Sequence, residues 1–315
     1  MKIIIDFDGT LTAEETQAGL LAEKSLDTLA NEILGAPRQQ LAADYQDTRT
    51  RLLQAPHCYW WEVNGLIASY CNEGAFILNT TTLQTLLREN PAYLQALTAA
   101  FPQTEYDPVV DCTNYLFHRH TAELPPAFRP AAHDVLVFLA EHPDRTPVIL
   151  TNSLGDKVCR HLATLALDGE IAVLGDTRQY EMDPDWTHRF LHPELGEIQV
   201  WPVAEGYQVD LRRPAYYQAL VRAASDDSRL AVVADTFSMP GALPLMMGIP
   251  FFLVLTPYTP AWCIQAVDAH PLGHLLDDLA DLPAALDGLS LPRYVGKSIP
   301  APRRSTTAGR VPALA

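Results

Sequence analysis

The chain has 315 residues, 48% of them apolar and 19% charged, and its 38 acidic against 22 basic side chains leave a formal net charge of −16. A negative surplus of that size repels polyanions at long range. It argues against nucleic acid or an anionic membrane as a main partner, and leaves a small anionic substrate open if its site is locally cationic. No apolar run approaches the roughly 20 residues that cross a bilayer, and a prior of roughly 150 residues per domain favours two globular domains.

The first segment, MKIIIDFDGTLT, opens on a β-branched run over residues 2–5 that reads as a strand covered on both faces. It leaves no length for a signal peptide before Asp6, so a cytoplasmic protein is expected. Residues 13–128 lack buried-strand runs and carry long periodic segments at 13–34 and 81–101, with Asn79 as a candidate helix cap for the second. This stretch reads as a mostly helical insertion. It holds the densest aromatic cluster, CYWWEVNG with Tyr59, Trp60 and Trp61, for which core packing and a cleft lining are both open. It also holds His118 and His120, a spacing better explained by packing than by a metal.

From residue 129 onward, apolar runs at 148–150, 171–174, 230–234 and 251–255 alternate with helical patterns at 131–141, 158–167, 214–224 and 240–247. Such alternation predicts right-handed crossovers and a doubly wound parallel sheet, with its site beyond the carboxyl ends of the strands. Residues 176–212 interrupt the pattern with alternation at 198–203 and 207–211, a hairpin turning at Glu205 and Gly206. The tail from 289 to 315 is rich in Pro, Arg, Ser and Thr without periodicity, and reads as irregular. The five cysteines are odd in number and show no CxxC pair, which reads as buried free thiols.

The chemistry gathers at strand ends. Asp6 closes the first strand, and a turn through Gly9 brings Asp8 toward the same point. Two adjacent carboxylates repel unless a cation or a shared proton intervenes, and a hard divalent ion such as Mg2+ satisfies both. One acid can attack phosphorus while the other moves protons. In VILTNS, Thr151 and the amides after it stand where a phosphoryl oxygen could be held. VVADT supplies Asp235 as a third carboxylate, and Arg212 and Arg213 precede Pro214 at a helix start.

Taken in this order, DFDGTLT, ILTNS, RRP and VVADT resemble the four motifs of the haloacid dehalogenase (HAD) superfamily. The resemblance implies an α/β fold: a Rossmann-like doubly wound parallel sheet, residues 1–12 and 129–288, with a mostly helical cap inserted over 13–128. It also implies Asp6 as nucleophile and Asp8 as general acid and base. Thr151, Asn152 and Arg213 would hold phosphate, and Asp6, Asp8 (through its main-chain carbonyl) and Asp235 would surround Mg2+. Because dehalogenase members lack the second acid, the presence of Asp8 favours a phosphatase acting on a small phosphorylated metabolite. A phosphotransferase or phosphomutase, or a phosphate-binding scaffold without turnover, are the alternatives. Two of the motifs, the third and the fourth, depart from the pattern. Arg213 stands where lysine is usual, so that Arg212, Lys157 or Arg178 could supply the cation instead, and Ala234 and Met239 stand where glycine or acids are usual. The sequence sets no oligomeric state.

Overall fold

A computed structural model of the chain describes residues 1–167, 169–225 and 229–289. The expected strand over Lys2–Ile5 lies near the centre of a six-stranded sheet, and its three isoleucines are buried to 1% exposure or less. Ile3 and Ile5 face a cluster with Leu136, Val158 and Leu162, whereas Ile4 faces one with Tyr216, Leu220 and Val232. Burial on both faces is why this run is apolar throughout instead of alternating.

Across the sheet the order is Gly273–Leu276, Phe251–Val254, Leu230–Ala234, Lys2–Ile5, Thr146–Leu150 and Ala172–Leu174, every pairing parallel. From the first strand the chain builds outward on one side through Thr146–Leu150 and Ala172–Leu174, then returns to build the other side. The reversal falls at Lys2–Ile5, so the crevice that ligands use in doubly wound sheets opens beyond the ends of that strand and its two neighbours. The edge strand Gly273–Leu276 was not expected from the sequence. It has no β-branched residue, and only Leu276 of its four is fully buried.

The helices around the sheet are Ala132–Glu141, Gly155–Ala163, Pro214–Ala223, Ala242–Met246, Ala261–Asp268 and Leu282–Asp287. Two differ from expectation. The helix expected over 158–167 begins three residues earlier, at Gly155, and ends at Ala163, before Ala166 takes a positive φ of 58°. The one expected over 240–247 is shortened, because Pro240 sits in the wide turn Phe237–Gly241 that precedes it.

Residues 13–128 carry the helices Ala18–Thr28, Arg38–Gln54, Ala75–Glu89, Pro91–Ala100 and Pro108–Thr121. The single segment read over 81–101 is in fact two helices. Pro91 breaks it, and the Asn90 side chain caps the second by accepting from the N–H groups of Ala92 and Tyr93 at 3.1 and 3.3 Å. Asn79 caps nothing. It is buried within Ala75–Glu89, where it accepts from the Tyr45 hydroxyl at 2.8 Å and donates to Ala18 O at 2.7 Å.

The helical stretch also contains an unexpected hairpin, Trp60–Val63 against Leu66–Tyr70, turning at Asn64 and Gly65 with φ of 52° and 73°. Asn-Gly is the pair that a two-residue hairpin with both central φ positive prefers. The hairpin expected at Glu205 and Gly206 is present as Val200–Ala204 paired with Tyr207–Asp210. It packs Tyr207 on Trp262 and Trp201 on Phe237, with ring centroids 4.6 and 5.5 Å apart. Of the five cysteines, Cys71, Cys112 and Cys263 are buried and Cys58 and Cys159 exposed, so the expectation of buried thiols holds for three. No helix among the described residues is long and apolar enough to cross a membrane. The irregular tail, apart from Leu289, lies outside the described residues.

Candidate active site

Asp6 continues the register of the first strand, its N–H donating to Val233 O at 3.0 Å. The chain then folds back on itself, and Phe7 O accepts from the N–H groups of Leu11 and Thr12 at 3.0 and 3.1 Å. This tight loop turns at Gly9, whose φ is +81°, and a Cβ placed there would stand 2.1 Å from Asp235 Oδ2. Only glycine fits both the backbone and the space. Thr10 fastens the loop to the neighbouring strand end, since its hydroxyl donates to Asp235 Oδ1 and accepts from the Asp235 N–H, each at 3.0 Å. Arg129 clamps the other side. It donates to Gly9 O from Nε at 2.9 Å and Nη2 at 2.6 Å, and pairs with Glu15 at 3.1 Å.

Asp6, Asp8, Thr151, Asn152 and Asp235 all line one cavity of about 90 Å³. Five of the six residues singled out in the sequence therefore meet. Thr151 is buried, and its Oγ1 accepts from the Ser153 N–H at 3.1 Å. Asn152 Oδ1 accepts from the Gln179 N–H at 2.7 Å, leaving its amide nitrogen only the Met239 sulfur at 3.8 Å.

Arg213 does not join them. Its guanidinium is fully buried and donates to two main-chain carbonyls, Gln179 O at 3.1 Å and Ala68 O, so it ties the inserted hairpin to the core and does not line the cavity. Arg212 pairs with Asp210 at 2.5 Å, and Arg178 pairs with Glu105. Of the cations considered, Lys157 is the one that reaches the acidic pair. From the first turn of Gly155–Ala163 its Nζ donates to Asp8 Oδ1 at 3.0 Å and to Ser153 Oγ at 2.8 Å, while the Ser153 hydroxyl itself donates to Asp8 Oδ2.

Burial sets the electrostatics. Asp6 is held well above the ordinary carboxylate range, first by desolvation and then by the charges of Asp235 and Asp8, against hydrogen bonding from the Phe7 N–H and the Thr151 hydroxyl. Desolvation likewise pushes Asp235 up to about 7, opposed by the Thr10 hydroxyl and by Arg129. A fourth carboxyl, Glu14, was not singled out in the sequence. It lines the same cavity, accepts from the N–H groups of Ala75 and Phe76 at the start of a helix, and is raised by burial and by Asp235. Nothing local marks it, because it reaches the site only through the fold of the insertion. Trp61 and His118 line the cavity too, while Trp60 and Tyr59 do not, and His120 is packed against the Thr28 hydroxyl at 2.9 Å.

Four carboxyls around one cavity, faced by Lys157 through Asp8 alone, leave a local excess of negative charge in an all-oxygen donor set. That chemistry fits a hard divalent cation. Among the described residues no three His, Cys, Asp or Glu side chains form a ready-made cage, so the donors fit in kind, with main-chain oxygen and water completing the set.

No protein-family model matches the sequence, and no curated protein matches it. Among solved structures the chain is similar to 2-haloacid dehalogenase from Pseudomonas syringae pv. tomato DC3000, at 19% identity over 91% of this chain and 97% of that one, with a TM-score of 0.44. It is similar to YfnB from Bacillus subtilis, described as a HAD-hydrolase bound to magnesium, at 12% identity, 91% and 98% coverage and a TM-score of 0.46. CbbY from Rhodobacter sphaeroides in complex with phosphate gives 15% identity, 91% and 98% coverage and a TM-score of 0.44. At these identities and TM-scores nothing about this chain is taken from the likeness. The parallel sheet with its reversal at the first strand, the long stretch inserted after that strand, and the acids at the strand ends define a doubly wound α/β fold with its acidic cavity at the carboxyl ends of the central strands.

Proposed function

We propose that the chain is a divalent-cation-dependent phosphohydrolase acting on a small phosphorylated metabolite through an aspartyl-phosphate at Asp6. The observation that carries the reading is that Asp6, Asp8, Thr151 and Asp235, from three separate strand ends, share one cavity. A carboxylate oxygen of Asp6 attacks phosphorus, and the bond from phosphorus to the leaving oxygen breaks as Asp8, having taken the proton of the bound monoanionic ester, passes it to that oxygen. Asp8, now a carboxylate, takes a proton from water as the water oxygen attacks phosphorus, and Asp6 leaves as carboxylate with inorganic phosphate released. Lys157 and Ser153 fix the rotamer of Asp8, and the Thr151 hydroxyl and the amides after it receive phosphoryl oxygens. Asp6, Asp235 and the main-chain carbonyl of Asp8 would hold Mg2+, which when bound neutralises charge on the phosphoryl oxygens. The aromatic and aliphatic walls exclude bulk water.

A second reading, phosphate binding without turnover, is favoured by Met239, an apolar wall of the cavity where an acid is usual. Phosphate release from small phosphomonoesters with and without Mg2+, in wild type and Asp6→Asn, separates the two. Hydrolysis predicts Mg2+-dependent release that falls at least about a thousandfold in Asp6→Asn, with an acid-trapped phosphoryl adduct on Asp6 by mass spectrometry. Release that ignores both the metal and the substitution refutes it. Transfer to an added alcohol in preference to water would turn the reading into a phosphotransferase.

A further inference from the structure

Resting on the phosphohydrolase reading, we propose that Glu73 is a positioning residue for that reaction. Its buried carboxylate holds the loop after Asp235 against the inserted hairpin, and so sets one wall of the space in which the ester is bound.

Glu73 stands three residues beyond the hairpin strand Leu66–Tyr70 and is 0% exposed. Four donors converge on it. On the hairpin side, Oε1 accepts from the Ser69 hydroxyl at 2.9 Å and from the Tyr70 N–H at 2.8 Å. On the core side, Oε2 accepts from the Ser238 N–H at 2.8 Å, and the Cys263 thiol of the helix Ala261–Asp268 points to it at 3.7 Å. A carboxylate taken wholly out of water persists where hydrogen bonds replace its hydration, and here they come from both sides of the junction between insertion and core.

The junction admits little else. Each carboxylate oxygen meets a main-chain N–H, which can only donate. A glutamine offers one oxygen and one NH2, so whichever way its amide is turned, one of the two N–H groups faces another donor. A buried N–H left without an acceptor costs its full desolvation. Two acceptors, and not side-chain volume, are what the position requires.

What Glu73 holds is part of the cavity. Ser238 stands between Thr236 and Met239, which line the cavity together with Asp6 and Thr151. The Thr236 hydroxyl donates to Met239 O and closes this turn on itself, and the Met239 sulfur meets the Asn152 amide nitrogen at 3.8 Å. The Ser238 N–H is where the turn is fastened to the insertion. Asp235 has its own anchor in Thr10, and Asp6 is fixed by the bond from its N–H to Val233 O. Releasing the turn therefore displaces a wall and leaves the reacting groups in place.

The test uses the full chain with Mg2+ and n-propyl phosphate. In Glu73→Gln, KM is expected to rise about tenfold while kcat falls less than about threefold, the pattern of binding lost equally from ground and transition states. Ser69→Ala breaks a bond to the same carboxylate on the hairpin side and leaves Ser238 held, so its KM should stay within about twofold of wild type. A purely structural Glu73 would make the two variants alike. The turn is also followed without turnover, through the ε-methyl resonances of the five methionines, with Met239 assigned by Met239→Leu. Its resonance should move in Glu73→Gln and stay in Ser69→Ala. Should Glu73→Gln fail to fold, Glu73→Asp, which keeps two acceptors one methylene short of their partners, is expected to move KM and the resonance in the same directions. An unmoved Met239 resonance or an unchanged KM in a folded Glu73 variant overturns the proposal and leaves the hydrolase reading intact. Absence of phosphate release in wild type would sink the hydrolase reading, and the Met239 resonance alone would then decide whether Glu73 holds the turn.

Discussion

Replacing Lys157 by methionine keeps most of the stem's volume and removes the ammonium that faces Asp8. The two side chains are 5% and 17% exposed and 3.0 Å apart, so solvent screens them little. At an effective dielectric of about 20, their attraction is about 5 kcal/mol. Breaking a buried pair by deleting one partner typically costs about 3–5 kcal/mol, because the survivor is left charged and desolvated. Lys157→Met is therefore expected to lose about that much stability in urea unfolding at pH 7.5. Asp8→Asn in the same background should recover part of it, giving a coupling of at least about 2 kcal/mol in the double-mutant cycle. The same cycle bears on catalysis, since Lys157 orients Asp8, and phosphate release should fall in the single variant even under conditions where it is fully folded. A loss below about 1 kcal/mol with additive effects would put the pair in the class of exposed ion pairs and refute the reasoning.

The buried acids give a pH dependence. Asp6 and Asp235 have folded-state pKa values raised above the unfolded ones, so their contribution to stability is complete below the unfolded carboxylate range and is lost as pH rises through the folded value, about 7 for Asp235. A divalent cation relieves that cost only where the acids are ionised. Saturating Mg2+ should raise the melting temperature more at pH 8 than at pH 5.5, and an equal shift at both would count against a metal held by these carboxyls. Gly9→Ala should abolish phosphate release and destabilise the fold by about 2 kcal/mol or more, because the new methyl meets Asp235 at a positive φ; a variant with wild-type melting would contradict the geometry. Arg213→Met should destabilise by roughly 2–4 kcal/mol, leaving the carbonyls of Ala68 and Gln179 unpaired, without changing the inhibition constant of inorganic phosphate. A large rise in that constant in folded protein would restore Arg213 to the site.

Much of this was legible in the residues themselves. DFDGTLT, the runs at 148–150, 171–174, 230–234 and 251–255, and the alternation of strand and helix after residue 129 are local signals. Consecutive β-branched residues, glycine turns and 3.6-residue periodicity act over a few positions, and the parallel sheet follows from them. The Asn64-Gly65 hairpin and the break at Pro91 carried local signals as well, overlooked because the surrounding periodicity reads as helix. Other features had no local trace. Arg213 and Lys157 are both cations near a helix start, and which one meets an acid depends on where two distant segments, Ala68 and Ser153, come to lie. Glu14 and Gln179 reach the cavity from loops more than 160 residues apart in the chain, as Trp61 does from its hairpin. Sequence alone thus decided which strand ends carry acids and a hydroxyl, because those positions are set by short-range patterning. The tertiary structure decided which charges meet and which buried groups are paired, because both depend on contacts between segments that the chain brings together only on folding.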